Sequence, residues 1–373
     1  MKISVVGGGN AGVFTALFLA WYGRKSNLEI ELIHDPSIPA ERVGQATLLT
    51  PPKILHDATG FDWYDNQIHA TFKSGILYEG WGRINDKVFS PFPASSMGMH
   101  YCPWEMQSHI LNCGLFNVVE SSVEDVRSVD SDLVIDCRGK PDDYSDYEEL
   151  INPTNACILA KPNWDTSKQH WSRHVATPDG WTFVVPTALD SPSRSGGVGY
   201  CYNSSITSKE DAEKNMLELF DVEITKHVNY KNYVAKNPVI DDRIILNGNR
   251  LFFLEPLESS ATEAYIEIPK YIIRYGDVGG LGHAIKEYIK HTQNFILWHY
   301  QFGSKYDTPF WNYASSLKFI DPKFDSILRE CKNTKMLDIK FDERNGCDPC
   351  YGQWARSVFK KWYNGMTKKS LVK

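Results

Sequence analysis

The stretch ISVVGGGNAGVFTALFLAWYG, residues Ile3 to Gly23, decides the fold. A β-branched run, a glycine turn and apolar residues at helical spacing read as strand, tight loop and helix. Gly7, Gly9 and Gly12 fit GxGxxG in the strand-to-helix context that gives the pattern its meaning. The first glycine permits the turn, the second lets a pyrophosphate approach the backbone, and the third lets the helix pack on the strand. Phosphates then sit at the helix N-terminus beside Asn10 and Ala11, where free N–H groups and the dipole favour negative charge.

The next strand, LEIELIHD, ends where such folds place an acid on the adenosine ribose; His34 holds that position, Asp35 follows it, and either can hydrogen-bond a hydroxyl. SDLVIDCRG, Ser131 to Gly139, repeats strand then glycine with Asp136 at the strand end, and the chain returns again in NRLFFLEPLESSATEAY, which contains Leu254. Three returns to one sheet, separated by long insertions, suit an extended FAD better than a compact NAD unit.

The 373 residues are about two ordinary domains' worth, enough to bury a substantial core. With 46 acidic against 40 basic residues and no long single-sign run, no nucleic-acid footprint is present and a small ligand is expected. Eight scattered cysteines in a chain this long suggest a reducing, cytoplasmic setting. The longest apolar stretch, VFTALFLAWYG, is too short to span a bilayer, so no membrane association is expected.

Lys73 stands among apolar and aromatic neighbours in FKSGILYEGWG. It is either a desolvated amine, a better nucleophile for its lowered pKa, or a solvated residue discouraging aggregation at a strand edge. Glu258 suits stabilisation of a cation or removal of a proton, and equally an ion pair or a helix N-terminal acid. His100, in GMHYCPW, could stack on a substrate or make a structural hydrogen bond. CDPC, Cys347 to Cys350, is a single pair without the further ligands of a zinc site, and no metal is expected. From DVGGLGHAIKEYIKHTQNFILWHYQF onward the spacing predicts a mostly helical section, and the basic end KKWYNGMTKKSLVK reads as a frayed, solvated tail.

A set of ordered motifs then resembles the flavin-dependent tryptophan halogenases: the glycine loop, VGQATL (Val43 to Leu48), FKSG (Phe72 to Gly75), GWTFVVP (Gly180 to Pro186), EPLESSA (Glu255 to Ala261) and HYQFGSKYDTPFW (His299 to Trp311). The resemblance implies that reduced FAD, oxygen and halide yield hypohalous acid, which Lys73 captures and aims at an electron-rich aromatic small molecule such as an indole or phenol. It implies that Glu258 acts beside the lysine with Ser259, and that the backbone amides of Ser260 and Ala261 hold halide. Gln45, Ala46, Asp136 and Gly139 join the flavin contacts, and a separate flavin reductase supplies reduced FAD. On the substrate side it implies Trp181 and Phe183, forming a wall between flavin and substrate, and the aromatic Phe92 and His100 are placed on that side as candidate walls for the ring. Ala261 stands where the family has glycine, and Phe183 where it has tryptophan. The C-terminal section is shorter than in the tryptophan enzymes, which leaves the substrate and the oligomeric state open, a homo-oligomer included.

The expected fold is therefore α/β: a GxGxxG FAD-binding, flavin monooxygenase-like fold with an inserted β-rich substrate layer and a helical C-terminal section. Residues 1–50, 120–140 and 240–275 are assigned to a discontinuous FAD-binding domain, 51–119 and 150–239 to substrate-side insertions, and 276–373 to the helical section. Two rival readings share the glycine loop, a flavin-dependent aromatic monooxygenase and a non-catalytic flavin-binding protein.

Overall fold

In a computed structural model, residues 1–41, 43–93, 96–186, 197–319, 321–333, 350–351 and 354–369 are described. The helices are α1 (Asn10–Tyr22), α2 (Thr50–Thr59), α3 (Pro103–Leu111), α4 (Lys209–Leu219), α5 (Ala261–Tyr275), α6 (Leu281–Gln301), α7 (Pro309–Ser316), α8 (Pro322–Asn333) and α9 (Arg356–Thr367).

Lys2–Val6, the apolar run that opens the chain, is a central strand of a six-stranded sheet. It pairs in parallel with Glu29–His34 on one side and Leu133–Asp136 on the other. Ile244–Leu246 and Asn117–Glu120 extend this core in parallel, and Val239–Ile240 closes one edge in antiparallel. Such doubly flanked strands must be apolar on both faces, as Val134 and Ile135 are, both fully buried. The sequence assigns residues up to 119 to the substrate side, whereas Asn117–Glu120 lies in this sheet. Helix α1 is apolar nearly all round because α3, α5 and the sheet enclose it.

A second sheet carries the inserted layer. Its seven strands run in the order Val222–Asn229, Ala156–Pro162, Gly197–Tyr202, Gly180–Val185, Ser172–Thr177, Gly75–Glu79, Lys87–Pro91, antiparallel except where Ser172–Thr177 meets Gly75–Glu79. A small antiparallel sheet, Gln45–Ala46, Gly98–Tyr101, Thr71–Lys73, connects the two ends of the molecule. Gln45 accepts a hydrogen bond from Asn10 of the glycine loop at 2.9 Å, and two strands away the same sheet ends on Lys73.

The C-terminal section is helical through α6 to α9, with a two-stranded ribbon at Cys350–Tyr351 and Trp354–Ala355. Residues 360–367 of the basic end are not the frayed tail their charge suggests. Residues Arg356–Thr367 form α9, whose Phe359, Trp362 and Met366, spaced three and four apart, are buried. Lys361 lies on the less buried side of this amphipathic helix, and Lys360, itself buried, donates to the Lys332 carbonyl at 3.0 Å, so charge alone misled. No helix among the described residues is long and apolar enough to cross a membrane.

Candidate active site

At the first end of the site, glycine is required by contact. Gly7 has φ +117°, and a side chain there would overlap the Cys137 carbonyl; one on Gly12 would overlap the Gly7 carbonyl. Above Gly9 nothing lies within 4 Å, leaving room for a phosphate against the backbone. The buried Oδ1 of Asn10 has no partner in the protein, while its Nδ2 is held by Gln45. An open glycine, an unpaired buried oxygen and a helix N-terminus together fit a dinucleotide such as FAD.

Asp136 is buried and takes Arg138 through Nε and Nη2, both at 2.9 Å, with Arg250 at 3.4 Å. It thereby anchors the turn that leads to Gly139, whose φ is +89°. His34 is nearly buried, packed beside Gly8, and Asp35 caps its own turn by accepting from the Ser37 amide and hydroxyl. Ala46 is paired with His100, and Leu254 is buried beyond the short strand Phe252–Phe253.

At the other end, Lys73 is 0% exposed, while the preceding Phe72 faces outward on the alternate side of the strand. The solvated strand-edge reading of this lysine is thus excluded. Its Nζ donates to Ser259 Oγ at 2.9 Å and lies 5.4 Å from the centre of the Phe92 ring. Burial pushes the ammonium down to about 7, with Glu258 pulling the other way.

Glu258 and Ser259 both have positive φ, +72° and +54°. For two successive non-glycine residues this costs on the order of 1–2 kcal/mol each, a strain of the kind found at functional turns. The turn sends Ser259 to Lys73 and Glu258 to another set of partners. Oε1 of Glu258 accepts from the Tyr78 hydroxyl and lies 3.0 Å from His299 Nε2. Both contacts fall on Oε1. The Trp362 ring covers this group, 4.3 Å from the His299 ring and 4.4 Å from Tyr78, centre to centre. Ser260 then caps α5, and exposed Ala261 is its first residue; the amides of this first turn have no partner within the helix.

Glu255, three residues earlier, is a second buried carboxyl, and burial raises it to about 7. Tyr300 donates to its carboxylate at 2.8 Å, Thr154 adds another hydroxyl, and Trp181 Nε1 lies 3.4 Å from Oε2. Trp181 is fully buried in the strand Gly180–Val185, and half-buried Phe183, two residues on, packs its ring over Gly199 of the neighbouring strand. Their rings are 6.0 Å apart and form one aromatic face. His100 is 1% exposed, with Nδ1 at 3.1 Å from Thr71 and Nε2 at 3.0 Å from Ser172, so its ring bridges the small and large sheets.

The sequence of the chain matches the tryptophan halogenase family over residues 2–112 and 116–343. The chain belongs to this family. As a flavin-dependent halogenase it is an oxidoreductase. It is 20% identical to tryptophan 7-halogenase RebH of Lentzea aerocolonigenes, across 87% of this chain and 81% of that protein. It is 25% identical to tryptophan 6-halogenase ThaL of Streptomyces albogriseolus across 54% and 41%, respectively. Among solved structures, a tryptophan halogenase from Shewanella frigidimarina superposes with a TM-score of 0.79 at 17% identity, covering all of this chain and 90% of that one. The flavin-dependent halogenase Xcc4156 of Xanthomonas campestris gives 0.78 at 16% identity, covering 98% and 88%. The halogenase fold thus accounts for the whole chain.

Sequence reading missed several members of this cluster. Tyr78 lies in the quoted lysine stretch and His299 in a quoted motif, but nothing local ties either to Glu258. Trp362 was hidden in the basic end. Glu255 stood in the EPLESSA motif, yet its hydroxyl donors come from positions 154 and 300. Of the CDPC motif, Cys347, Asp348 and Pro349 lie outside the described residues, and Cys350 opens the short ribbon. Among the described residues no three metal-capable side chains converge.

Proposed function

We propose that the protein transfers oxidised halogen to an electron-rich aromatic small molecule, an indole or phenol, through Lys73. The observation that carries this reading is the fully buried Lys73 amine, lowered to about 7 and set beside Ser259 and Glu258. A lysine so placed has a substantial neutral fraction at cellular pH, and only the neutral amine has a lone pair to offer.

FAD, when bound and delivered reduced by a separate flavin reductase, supplies with oxygen the oxidising equivalents that turn halide into hypohalous acid. The chain's own residues do the rest. The glycine loop with Asn10, Ala11 and Gln45 holds the dinucleotide, with Asp136, Gly139, His34 and Asp35 shaping its surroundings. The Ser260 and Ala261 amides hold chloride, bromide or iodide. The Trp181 and Phe183 face screens the flavin end from the substrate end.

Lys73 takes up hypohalous acid either by hydrogen bond or as a haloamine, with loss of water. The ring carbon gives its electron pair to the halogen, the bond from halogen to nitrogen or oxygen breaks, and Glu258 accepts the proton released by the ring. The net change is replacement of one ring hydrogen by halogen, with hypohalous acid leaving as water. On this reading the six-stranded sheet serves FAD and the seven-stranded sheet serves substrate, in the cytoplasm where reduced flavin is available.

The test uses the purified protein with FAD, a flavin reductase, NADH and a pooled library of indoles, phenols and anilines in chloride, bromide or iodide buffer, read by mass spectrometry. Halide-dependent mass shifts that vanish in Lys73→Ala are expected. Gains of one oxygen that appear without halide and survive Lys73→Ala would instead establish a monooxygenase.

A further inference from the structure

His299 sits one turn after Phe295 on α6, and its Nδ1 lies 2.7 Å from the Phe295 carbonyl oxygen. A carbonyl only accepts, so Nδ1 carries a proton. Nε2 lies 3.0 Å from Oε1 of Glu258. A neutral imidazole already protonated on Nδ1 would turn a lone pair toward a carboxylate, and two acceptors at that distance repel. The Tyr78 hydroxyl, 3.4 Å from Nε2, spends its proton on the nearer Oε1, so the contact needs a second proton, on Nε2 or on the carboxyl. The Tyr78 hydroxyl donates to the same Oε1, and Lys73 attracts the carboxylate from another side. Oε1 thus already faces a hydroxyl donor and a cation, and the second proton is assigned to the imidazole, which then donates to it. His299, Glu258 and Tyr78 are 1%, 7% and 1% exposed, a setting in which a charge must be paired.

We propose that His299 is the standing counter-ion of Glu258, a positioning residue that balances the carboxylate so that the Lys73 amine stays free to take up halogen. This rests on the reading of Lys73 as halogen carrier, although the geometry does not. Without His299, the buried carboxylate would have Lys73 as its nearest cation and would hold it as ammonium, which has no lone pair to give. Burial is what lowers Lys73 and Glu258 is what opposes it; a cation on the far side of Glu258 weakens that opposition. The other titratable groups around the cluster are Tyr78, His174 and His100. Burial, and after it Lys73, holds both of these histidines well below their ordinary value, so neither supplies the positive charge at neutral pH.

The test is NMR on the full chain with oxidised FAD bound and neither halide nor substrate present, using ¹⁵N-histidine and ¹³C-lysine labels across the neutral pH range. Both His299 ring nitrogens are expected in the protonated shift range. In His299→Gln, the proton affinity of Lys73 should rise about tenfold, as an unbalanced carboxylate attracts the ammonium. Glu258→Gln should lower it below that of the unsubstituted protein, and the double variant should match Glu258→Gln, because His299 acts through Glu258. An unprotonated Nε2 in the unsubstituted protein, or a Lys73 titration unmoved in His299→Gln, would overturn the proposal. Should His299→Gln not fold, Glu258→Gln decides alone. The new amide can donate to a bare Nε2, so His299 must lose its second proton, and persistence of that proton overturns the counter-ion role. Absence of halogenated product from every substrate would defeat the proposed function while leaving this titration intact. Normal product with an unshifted Lys73 would do the reverse.

Discussion

At the glycine loop, residues within six positions of one another meet the backbone of two neighbouring strands. At the lysine cluster, the side chains of positions 73 and 259 meet, and beside them those of 78, 258, 299 and 362 meet one another. The first region needs the absence of side chains, since Gly7 and Gly12 lie where a methyl group would strike a carbonyl. The second is made of side chains, each buried and each dependent on another for its charge or its hydrogen bond. The flavin end should therefore fail by losing its shape, and the transfer end by losing its proton balance while its shape persists. The small sheet from Gln45 to Lys73 joins the two without making them alike.

The sharpest break between them is Lys73→Ala. It should lower the halogenation rate by about 10²–10⁴-fold, the range expected when a positioned acid, base or nucleophile is removed. FAD binding, followed by flavin fluorescence, should stay unchanged. The converse is Gly12→Ala, where the added methyl would overlap the Gly7 carbonyl. A loss of about 1–3 kcal/mol in urea unfolding is expected, together with weakened FAD binding. If Gly12→Ala kept full flavin affinity, the contrast between the two regions would collapse.

Glu255 sharpens the comparison through pH. Its carboxyl is raised by burial from the ordinary range to about 7, so between those values the folded protein holds a proton that the unfolded chain has released. Stability must then fall as pH rises through that window. The contribution is largest at low pH and lost above about 7, by at most about 3 kcal/mol. Urea unfolding at about pH 5 and about pH 8 should show this slope in the unsubstituted protein and a flatter one in Glu255→Gln. The smallest effect is expected from Ser259→Ala. Loss of one hydrogen bond to the buried Lys73 amine should slow halogenation roughly tenfold and leave flavin binding alone.

How much of this could be read in the sequence follows from the same contrast. Gly7, Gly9 and Gly12 were legible because their contacts are local and the spacing alone dictates strand, turn and helix. The parallel sheet and the inserted layer followed from the long returns of the chain. Lys73, Glu258 and Ser259 were legible only through motifs, since a lysine in FKSGILYEGWG could equally lie on an edge in water. Tyr78, His299 and Glu255 were not, because their roles arise from partners more than 40 residues distant in most cases, such as the 41 between Glu258 and His299. Trp362 was misread outright, because the lysines around it signal solvent when single residues are weighed and an amphipathic helix when spacing is. For His100 the sequence left two readings open. A histidine near the lysine invites a catalytic role, whereas hydroxyls on both sides give it a structural one.

The cover that α9 places over the Glu258 group also sets an order of assembly. The strands of the flavin sheet are all present once residue 246 has been made, whereas Trp362 follows more than a hundred positions later. Domains fold as they are synthesised, from the N-terminal side. The strands of the six-stranded sheet are thus made well before the helix that covers the Glu258 group. A chain that stops between these points would hold every strand of the six-stranded sheet and lack the ring that covers Glu258, His299 and Tyr78.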